Sequence, residues 1–335
     1  MKVFLTGTSG FIGSHFLAHL LAQGHEVVCS ARSSAQAQAN QTLRAQPWIG
    51  DLLDSSTVSQ AMHGVDVVIH AAGCRDVTQS KLNLDIANVK LTQSVWRAAS
   101  AAGVQRFVHI SAASVLMQSP RPLLNVDESC SAAQMDYLPY SASKLRAEDW
   151  LLNANAKNMR LVILRPSFVW GLGDGVDTEI GPASNRGQFG WFSQGRYPFA
   201  TCAIANLCNA LDKTLIYEGA HSVFLISDAE PVDFRTFMLS RLQVGGYPAP
   251  RFSISRRIAW WLAAFTEQGW KYLPMPGKPP LVREMVRLLG YPFTVSIENA
   301  RCELGYQAPY AIDEQMRALQ KASKCRRFAG EQKYA

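Results

Sequence analysis

Two residues four positions apart, Tyr140 and Lys144, carry the clearest chemical signal in this sequence. They stand in the run Tyr-Ser-Ala-Ser-Lys, directly after Pro139, which predicts the start of a helix that reaches about residue 156. Residues four apart share one face of a helix, so the phenol and the ammonium group point into the same space. A nearby ammonium favours the phenolate and lowers the pKa of a phenol from about 10. The pair therefore predicts acid–base catalysis by Tyr140, tuned by Lys144.

The first thirteen residues predict a loop that binds a dinucleotide. Residues 2–5 read as a strand, and Gly7, Gly10 and Gly13 follow it before a helix whose apolar residues recur at helical spacing. Gly7 allows a sharp turn, Gly10 lets the backbone approach a diphosphate, and Gly13 lets the helix pack tightly on the sheet. An ordinary tight turn is the alternative. The predicted cofactor contacts in this loop are Gly7, Ser9, Gly10, Phe11, Ile12 and Gly13.

Strand-like and helix-like segments alternate through the first half of the chain. Apolar runs predict strands at 25–31, 65–70, 106–111 and 159–165, with a short strand at 48–49. Helices are predicted at 55–62 and 82–102, whereas 33–46 reads as a surface excursion and 119–135 as a loop. This pattern predicts an α/β fold with a doubly wound parallel sheet of the Rossmann kind.

The second half predicts a smaller, mostly helical lobe that binds substrate. The glycine-rich and aromatic segment from 171 onward has little periodicity, as expected of loops that cover a ligand. We expect a dinucleotide-binding domain over 1–170, to which 203–230 returns, and a substrate lobe of 171–202 and 231–325. Residues 326–335 are expected to form a solvated basic tail.

Composition excludes several classes of function. Lysine plus arginine exceed aspartate plus glutamate by 33 to 26, and the surplus is scattered, so no nucleic-acid surface is predicted. The seven cysteines lie far apart, which predicts a reduced, cytoplasmic chain without a zinc cluster. His15 and His19 are four apart, but no third ligand is evident, so we expect ordinary helix-surface histidines and no metal. No apolar stretch is long enough to predict a transmembrane segment.

The segment 252–272 carries many aromatic residues among basic ones. The prediction is the packed face of a small lid, and the alternative is a helix in weak peripheral contact with a membrane surface. The apolar character of this segment favours a bulky, weakly polar substrate.

Taken together, these motifs resemble the extended short-chain dehydrogenases/reductases, in particular the 3β-hydroxysteroid dehydrogenase-like branch of the NAD-dependent epimerase/dehydratase superfamily. The similarity runs along nearly the whole chain. The segments that carry it are TGTSGFIG at 6–13, GDLLD at 50–54, HAAG at 70–73, YSASK at 140–144, RPSFVWG at 165–171, SDAEPVDFRTF at 227–237 and ARCELGY at 300–306.

The resemblance implies roles for further residues. Asp51, with Leu52 beside it, would accept from the adenine amino group; a helix cap or turn acid is the alternative for Asp51. Lys144 would hold the nicotinamide ribose as well as tune Tyr140. The residues implied to line the ribose and nicotinamide are Ala71, Ala72, Gly73 and Pro166.

One position departs from the family pattern. The strand before the tyrosine normally ends in a serine or threonine that hydrogen-bonds the substrate oxygen, and Ala112 stands there. Ser111 and Ser114 flank it. If the chain is still extended, Ser114 lies on the same side as Ala112, so Ser114 is the predicted substitute. A hydroxyl that only caps the loop backbone is the alternative.

The end of the second strand indicates the preferred cofactor. Enzymes that read the free 2′-hydroxyl of NAD usually have an acid there, but this chain has Arg32 in the run Cys-Ser-Ala-Arg-Ser. Arg32 suits a 2′-phosphate, so NADP(H) is the predicted preference, with NAD(H) as the second option. An exposed arginine that binds nothing is the alternative.

The leading hypothesis is an NAD(P)-dependent oxidoreductase that moves hydride between nicotinamide and a carbonyl or secondary alcohol. A nucleotide-sugar epimerase or dehydratase is the first alternative, for which Arg186, Arg196 and Arg235 are candidate ligands of a second diphosphate. A non-catalytic dinucleotide sensor is the second, since Ala112 removes an expected hydroxyl. The predicted partners are a small-molecule substrate and, in a homodimer, a second copy; a monomer is equally compatible.

Overall fold

The computed structural model describes residues 1–117, 119–132, 134–155, 158–273 and 275–331, and from 324 onward only the backbone. The side chains of the predicted basic tail at 326–335 therefore lie outside the described residues.

The strands, in chain order, are β1 Lys2–Thr6, β2 Glu26–Ala31, β3 Gln46–Ile49, β4 Val67–His70, β5 Arg106–Ile110, β6 Leu123–Val126, β7 Arg160–Pro166, β8 Phe168–Trp170, β9 Trp191–Phe192, β10 Pro198–Phe199, β11 Thr201–Ala203, β12 Val223–Ile226, β13 Val232–Asp233, β14 Ser253–Ile254 and β15 Phe293–Val295.

The helices are α1 Phe11–Ala22, α2 Ser34–Thr42, α3 Ser55–Ala61, α4 Lys81–Leu84, α5 Leu91–Ala101, α6 Pro139–Asn153, α7 Gly181–Asn185, α8 Ile204–Ile216, α9 Phe234–Gly245, α10 Arg256–Tyr272, α11 Arg283–Gly290, α12 Glu298–Leu304 and α13 Ile312–Glu331. Two π-helical segments, Asp85–Lys90 and Val176–Ile180, and two 3₁₀ turns, Ala113–Leu116 and Ser193–Gly195, complete the set.

Seven parallel strands form the central sheet, in the order β3-β2-β1-β4-β5-β7-β12. Their side chains are nearly all apolar because helices cover both faces and exclude water from each. One apolar cluster lies between the sheet and α1, α8 and α12, and the other between the sheet and α3, α5 and α6. The predicted Rossmann fold is confirmed.

The strand order reverses between β1 and β4, which are neighbours in the sheet. Helices then leave the carboxyl ends of these two strands on opposite faces, so a crevice opens at this edge. In the register, Thr6 lies beside His70, and His70 lies beside His109 of β5. The glycine loop, the 70–73 segment and the end of β5 therefore meet at one place.

Two sequence predictions of local structure were wrong, and a third differs from the structure in one turn. The segment 33–46 contains α2, whose cap Ser33 accepts the N–H of Gln36. The loop predicted at 119–135 contains β6, which pairs with β15. The long helix predicted at 82–102 is present, but its second turn is π-helical over Asp85–Lys90.

The second lobe is built on a four-stranded sheet, in the order β13-β10-β15-β6, with α9, α10 and α11 around it. Its link to the main sheet depends on Asp228, which follows β12 and is buried. The carboxylate of Asp228 accepts from the Trp170 indole at 3.0 Å and from the main-chain N–H of Ala203 at 2.8 Å. Because these bonds join β12, β8 and β11, they fix the loops that leave the sheet toward the second lobe. The domain boundaries themselves stay a prediction.

Helix α10 differs from its prediction as a packed face. Ala259 and Ala263 are the buried residues of α10, whereas Trp261 and Phe265 are 75% and 78% exposed. The large apolar side chains point outward because the small ones make the close contact with the lobe. In the part of the chain that the structure describes, no helix combines the length and the apolar character needed to cross a membrane.

Candidate active site

The glycine loop has the geometry that its sequence predicts. Gly7 has φ +83°, a conformation that favours glycine, and a Cβ on Gly7 would lie 2.7 Å from the main chain of Ala71. A Cβ on Gly13 would lie 2.1 Å from the carbonyl oxygen of Gly7, so the helix packs directly on the turn. At Gly10, the cap of α1, a Cβ would meet only the Gly7 oxygen, at 3.3 Å. Gly10 thus leaves room for a diphosphate against the N-terminus of α1, and the loop fits a dinucleotide.

The end of β2 places Arg32 on the surface, and its guanidinium has no acidic partner among the described residues. The main-chain N–H of Arg32 donates to the Gln36 side chain of α2 at 3.1 Å. Asp51 is exposed after β3, and its carboxylate accepts the N–H of Leu53 at 2.9 Å. This contact fits the alternative role predicted for Asp51, that of an acid that stabilises a turn. Leu52 is buried in the core, so only its main chain is available to an adenine.

A chain of buried hydrogen bonds fixes the segment after β4. The N–H of Ala72 donates to the Thr6 hydroxyl, 3.1 Å away, and Thr6 and Thr92 contact the two ring nitrogens of His70 at 2.9 and 3.0 Å. Because the Thr92 hydroxyl donates to the Asn88 carbonyl, it accepts from Nε2–H, so Nδ1 of a neutral His70 accepts from Thr6. Burial and the nearby Lys144 lower the pKa of His70 to about 3, in accord with the neutral ring.

Asn88, in the π-helical segment, joins this part of the site to α6. Its amide exchanges two hydrogen bonds with the main chain of Cys74, at 2.8 and 2.9 Å, and donates to the Ser143 hydroxyl at 2.8 Å. A Cβ on Gly73 would lie 2.7 Å from Asn88 Oδ1 and 3.5 Å from Lys144 Nζ. The 71–73 segment therefore lies against Lys144, the predicted holder of the nicotinamide ribose.

Helix α6 carries Tyr140 and Lys144 one turn apart, with Pro139 in its first turn. The helix is tied to β7 by the buried ion pair of Arg165 and Glu148, whose Nε–Oε2 distance is 2.9 Å. Nζ of Lys144 donates to the main-chain oxygen of Ile110, the last residue of β5, at 2.9 Å. The two predicted catalytic side chains thus stand at the carboxyl edge of the sheet. Pro166 ends β7 at the same edge, beside Ile226.

The ionisation of Tyr140 differs from the sequence prediction. Burial and the nearby carboxylate of Glu284 raise the pKa of Tyr140 above its ordinary value, although Arg75 opposes them. Burial also lowers the pKa of Lys144 to about 8, although the nearby Glu148 opposes it. The expectation that Lys144 lowers the pKa of Tyr140 is therefore not met in this structure. At neutral pH Tyr140 is a protonated phenol, which is the form that gives up a proton.

The predicted placement of Ser114 rested on an extended chain, and that premise was wrong. Ala112 is extended, but Ala113–Leu116 forms a 3₁₀ turn, so strand alternation ends before Ser114. Ser114 nevertheless lies against the start of α6, because its hydroxyl is 3.1 Å from the hydroxyl of Ser141, the residue after Tyr140. The Ser111 hydroxyl is buried and has no hydrogen-bond partner among the described residues.

Glu284, on α11 of the second lobe, forms hydrogen bonds with the start of α6, next to these hydroxyls. Its carboxylate accepts the main-chain N–H groups of Tyr140 and Ser141 at 2.8 and 2.7 Å, and lies 2.7 Å from the Ser141 hydroxyl. Glu284 therefore satisfies N–H groups at the start of α6 that have no partner within the helix. Burial raises the pKa of Glu284 to about 7, although these hydrogen bonds oppose the shift.

Comparison with known families decides what kind of protein has this arrangement. Residues 3–185, more than half of the chain, match the NAD dependent epimerase/dehydratase family. The chain belongs to that family. This confirms the resemblance, and with it a nicotinamide-dinucleotide-dependent oxidoreductase that acts on CH–OH or keto groups.

Relatives within the family cover nearly the whole chain. A 4-hydroxy-2-methyl-3-oxo-4-farnesyl-3,4-dihydroquinoline-1-oxide ketoreductase of Stigmatella aurantiaca is 34% identical over 323 residues, 96% of each chain. A 2-alkyl-3-oxoalkanoate reductase of Stenotrophomonas maltophilia is 31% identical over 96% of this chain and 99% of its own. Among solved structures, a UDP-glucose 4-epimerase of Stenotrophomonas maltophila with bound NAD has a TM-score of 0.75 at 19% identity. That structure covers 98% of this chain and 99% of its own, and it supports the fold alone.

Sequence reasoning missed three residues at the site of this family member. Asn88 had no local motif, and only its burial within a helix would have marked it. Glu284 lies 144 residues from Tyr140, so no spacing rule connects them. Arg75 follows Gly73 closely and contributes a positive charge near the phenol, and its guanidinium pairs with Glu179 at 2.7 Å. The described residues contain no group of three or more histidine, cysteine or acidic side chains that could hold a metal.

Proposed function

We propose that this chain reduces a ketone on a bulky, weakly polar molecule, with NADPH as the preferred reductant. The observation that carries the proposal is the placement of Tyr140 one helical turn from Lys144, with Lys144 fixed to the end of β5. Tyr140 is a protonated phenol at neutral pH, which is the form that a general acid needs. The relatives named as reductases support the direction in which the substrate oxygen gains a proton.

Each side chain has a part in this reaction. When bound, the dinucleotide supplies the hydride that adds to the carbonyl carbon. The Tyr140 hydroxyl donates its proton to the oxygen as negative charge develops there, and Ser114, or Ser111 in its place, is the second hydrogen-bond donor to that oxygen. Lys144, with its main-chain contact to Ile110, positions the nicotinamide ribose. Glu284 and Arg165 act through α6, because they hold the helix on which Tyr140 stands.

The preference for NADPH rests on Arg32. Its guanidinium is exposed at the end of β2, where a 2′-phosphate would lie, and NAD-specific members of this fold usually have an acid there. Residues from the glycine loop, together with Ala71, Ala72 and Gly73, would hold the rest of the dinucleotide. Equal affinity for NADPH and NADH in isothermal titration calorimetry would contradict the preference.

The names of the relatives support a ketone with apolar substituents. The ketoreductase of Stigmatella aurantiaca acts on a farnesylated quinoline, and the reductase of Stenotrophomonas maltophilia acts on 2-alkyl-3-oxoalkanoates. Both substrates therefore carry a keto group together with a farnesyl or alkyl substituent.

The alternative of a nucleotide-sugar epimerase has less support. Arg186 and Arg235 were the predicted ligands of a second diphosphate, together with Arg196. Arg235 lies 4.8 Å above the Trp191 ring and donates to the Gln194 oxygen, and Arg186 donates to Gln188. Two of the three therefore already contact their own lobe. The sensor hypothesis keeps only the missing hydroxyl at 112 in its favour.

Location and assembly are part of the same proposal. Six cysteines in the described part of the chain are free, which suits the reducing cytoplasm. We propose a cytoplasmic monomer or homodimer that acts on a small molecule.

The phenol of Tyr140 is the direct test. Tyr140→Phe keeps the ring and removes the donated proton, so NADPH affinity should stay within about twofold while the reduction rate falls about 10² to 10⁴-fold. Both are measured with a panel of long-chain 3-oxo compounds, and Tyr310→Phe, at a partly exposed tyrosine near the C-terminal helix, is the matched control. If Tyr140→Phe retains full activity, another group donates the proton. If the wild-type chain binds NADPH but reduces none of the panel, the sensor hypothesis is favoured.

A further inference from the structure

Exposed apolar side chains are concentrated in one short segment of the molecule. Seventeen large apolar side chains are exposed in the described part of the chain, and eight of them lie within 252–275. The eight are Phe252, Ile258, Trp261, Leu262, Phe265, Tyr272, Leu273 and Met275. Contiguous apolar surface of this kind normally marks a place where another molecule binds.

Helix α10 arranges these residues on one face, which we call the α10 face and define as Ile258, Trp261, Leu262, Phe265 and Tyr272. Their spacing of three, four and seven residues is that of a single helical stripe. The opposite side of α10 packs on the lobe through Ala259 and Ala263, and Thr266 contacts the oxygen of Leu281. The α10 face is therefore not needed to hold the helix in the fold.

The charges around the α10 face are mainly basic. Residues 251–280 include five basic side chains and a single acid, Glu267. Glu267 is paired with Arg283 at 2.7 Å, which neutralises it. The exposed basic residues of this segment without an acidic partner among the described residues are Arg251, Arg257 and Lys271, whereas Lys278 is paired with Asp76. The Lys271 ammonium also lies 5.2 Å above the ring of Tyr272, so the apolar and basic groups form one surface.

We propose that the α10 face binds the surface of an anionic lipid bilayer. An amphipathic helix with tryptophan, phenylalanine and leucine on one side and a basic border lies in the interface, with its apolar side among the acyl chains. The border then meets anionic headgroups, and long basic side chains reach them while their stems stay in apolar surroundings. Charge complementarity thus selects an acidic membrane as the partner.

A second copy of the chain suits this surface less well. A twofold dimer through the α10 face would place the same patch on both sides, so the basic borders would face each other. No exposed acid of this segment is available to compensate. Repulsion between the two borders therefore opposes self-association through this face.

Membrane contact would also place the active site near its substrate, a step that rests on the proposed function. The Trp260 ring packs edge-on against Tyr137 at 5.4 Å, three residues before the catalytic tyrosine. Lys278 pairs with Asp76, and Asp76 follows the 71–73 segment. The lid that carries the α10 face is therefore joined to both sides of the site. A weakly polar ketone dissolved in the bilayer would reach the site without crossing water.

Vesicle flotation of the full chain tests the proposal. Vesicles of phosphatidylcholine alone are compared with vesicles containing about one quarter phosphatidylserine, at low salt and at 0.5 M salt. We expect binding to the acidic vesicles that weakens with salt. The double variant Trp261→Gln/Phe265→Gln should bind at least tenfold less, and Arg257→Gln/Lys271→Gln should lose the preference for acidic lipid. The matched control, Ile216→Gln/Leu152→Gln, removes two exposed apolar side chains elsewhere and should bind as the wild type does.

Several outcomes would overturn the proposal. It is wrong if the wild type does not float with acidic vesicles, or if the Trp261/Phe265 variant binds as well as the control. It is also wrong if light scattering shows a dimer that this variant abolishes, because a second copy then occupies the face. Reduction of a water-soluble ketone without vesicles should be unchanged in every variant. If the proposed function is wrong, the wild type will not reduce the water-soluble ketone. If only membrane binding is wrong, reduction will be normal and the flotation experiment alone will fail.

Discussion

Helices α6 and α10 have opposite arrangements of polar and apolar side chains. On α6, Ser143 and Glu148 are fully buried and Lys144 nearly so, and each has a defined partner in the sheet, in Asn88 or in the main chain. On α10, the buried residues are two alanines, and the largest apolar side chains face solvent. Buried polar groups that are fully hydrogen-bonded hold one geometry, whereas an exposed apolar face gains stability only from an outside partner.

The difference indicates that the two halves of the molecule have different roles. The nucleotide-binding half positions its reactive groups with its own backbone and buried ion pairs. The second lobe supplies the lid and the α10 face, and it reaches the catalytic helix through Glu284. Substitutions in the first half should therefore abolish cofactor binding or reduction. Substitutions at the contact between the halves should change only the rate or its pH dependence.

The largest effect is expected from the glycine loop. Gly10→Val places two methyl groups where the diphosphate approaches, so NADPH affinity should fall at least about 100-fold, or ~2.7 kcal/mol. A Cβ at Gly10 meets only one atom, 3.3 Å away, so the fold should survive. Calorimetry measures the affinity, and thermal unfolding checks the fold. Gly269→Val is the control, since a Cβ there meets nothing within 4 Å. If the folded Gly10→Val variant binds NADPH with unchanged affinity, the cofactor does not bind at this loop.

Much of this half could be predicted because its signals are local. The strand, the turn and the first helix follow within thirteen residues, and Tyr140 and Lys144 share a face through spacing alone. Helix α2 was missed because it has little apolar periodicity. It is held by the cap between Ser33 and Gln36 and by buried Asn40, which donates to Thr8. The Ser-x-x-Gln spacing of that cap was the available signal.

What could not be predicted depends on contacts between distant residues. Spacing put Lys144 near Tyr140, but it gave neither the Ile110 oxygen that accepts from Lys144 nor the burial and the Glu284 carboxylate that raise the pKa of the phenol. The stripe on α10 was visible in the sequence, but the sequence did not say which side packs inward. Small alanines take that side because they allow the helix to approach its neighbour α11 closely.

Ser114 tests whether the catalytic half replaces the hydroxyl missing at Ala112. Ser114→Ala should lower the reduction rate at least about tenfold, or ~1.4 kcal/mol, because a donor to the developing alkoxide is lost. Ala112→Ser in the same chain should restore part of that rate. Steady-state kinetics with saturating NADPH measure both. Ser111→Ala is the comparison, since its buried hydroxyl has no partner among the described residues. If Ser111→Ala has the larger effect, the donor is Ser111.

Glu284 should give the smallest change in rate and the clearest change in pH dependence, because it joins the two halves. A hydroxyl has one hydrogen, so Ser141 donates either to Glu284 or to Ser114. Ionised Glu284 takes that hydrogen, and Ser114 must then donate to Ser141. Protonated Glu284 donates to Ser141 instead, Ser141 donates to Ser114, and the Ser114 hydrogen is left for the substrate oxygen.

The pH dependence follows from the pKa of Glu284, which burial raises to about 7 from its ordinary 4.5. Between these values the folded chain binds more protons than the unfolded chain, so this group's contribution to stability falls as pH rises. The reduction rate of the wild type should fall along with it as pH passes about 7. Glu284→Gln cannot ionise, so it should remove this decline, although its NH2 group must face a main-chain N–H of Tyr140 or Ser141 that the carboxylate accepted. Rate profiles over roughly pH 5.5 to 9 measure the effect. Glu298→Gln changes an exposed acid of α12 that pairs with Arg301 and should keep the wild-type profile. If Glu284→Gln and the wild type have the same profile, the hydroxyl chain does not control the donor, and Glu284 only holds the start of α6.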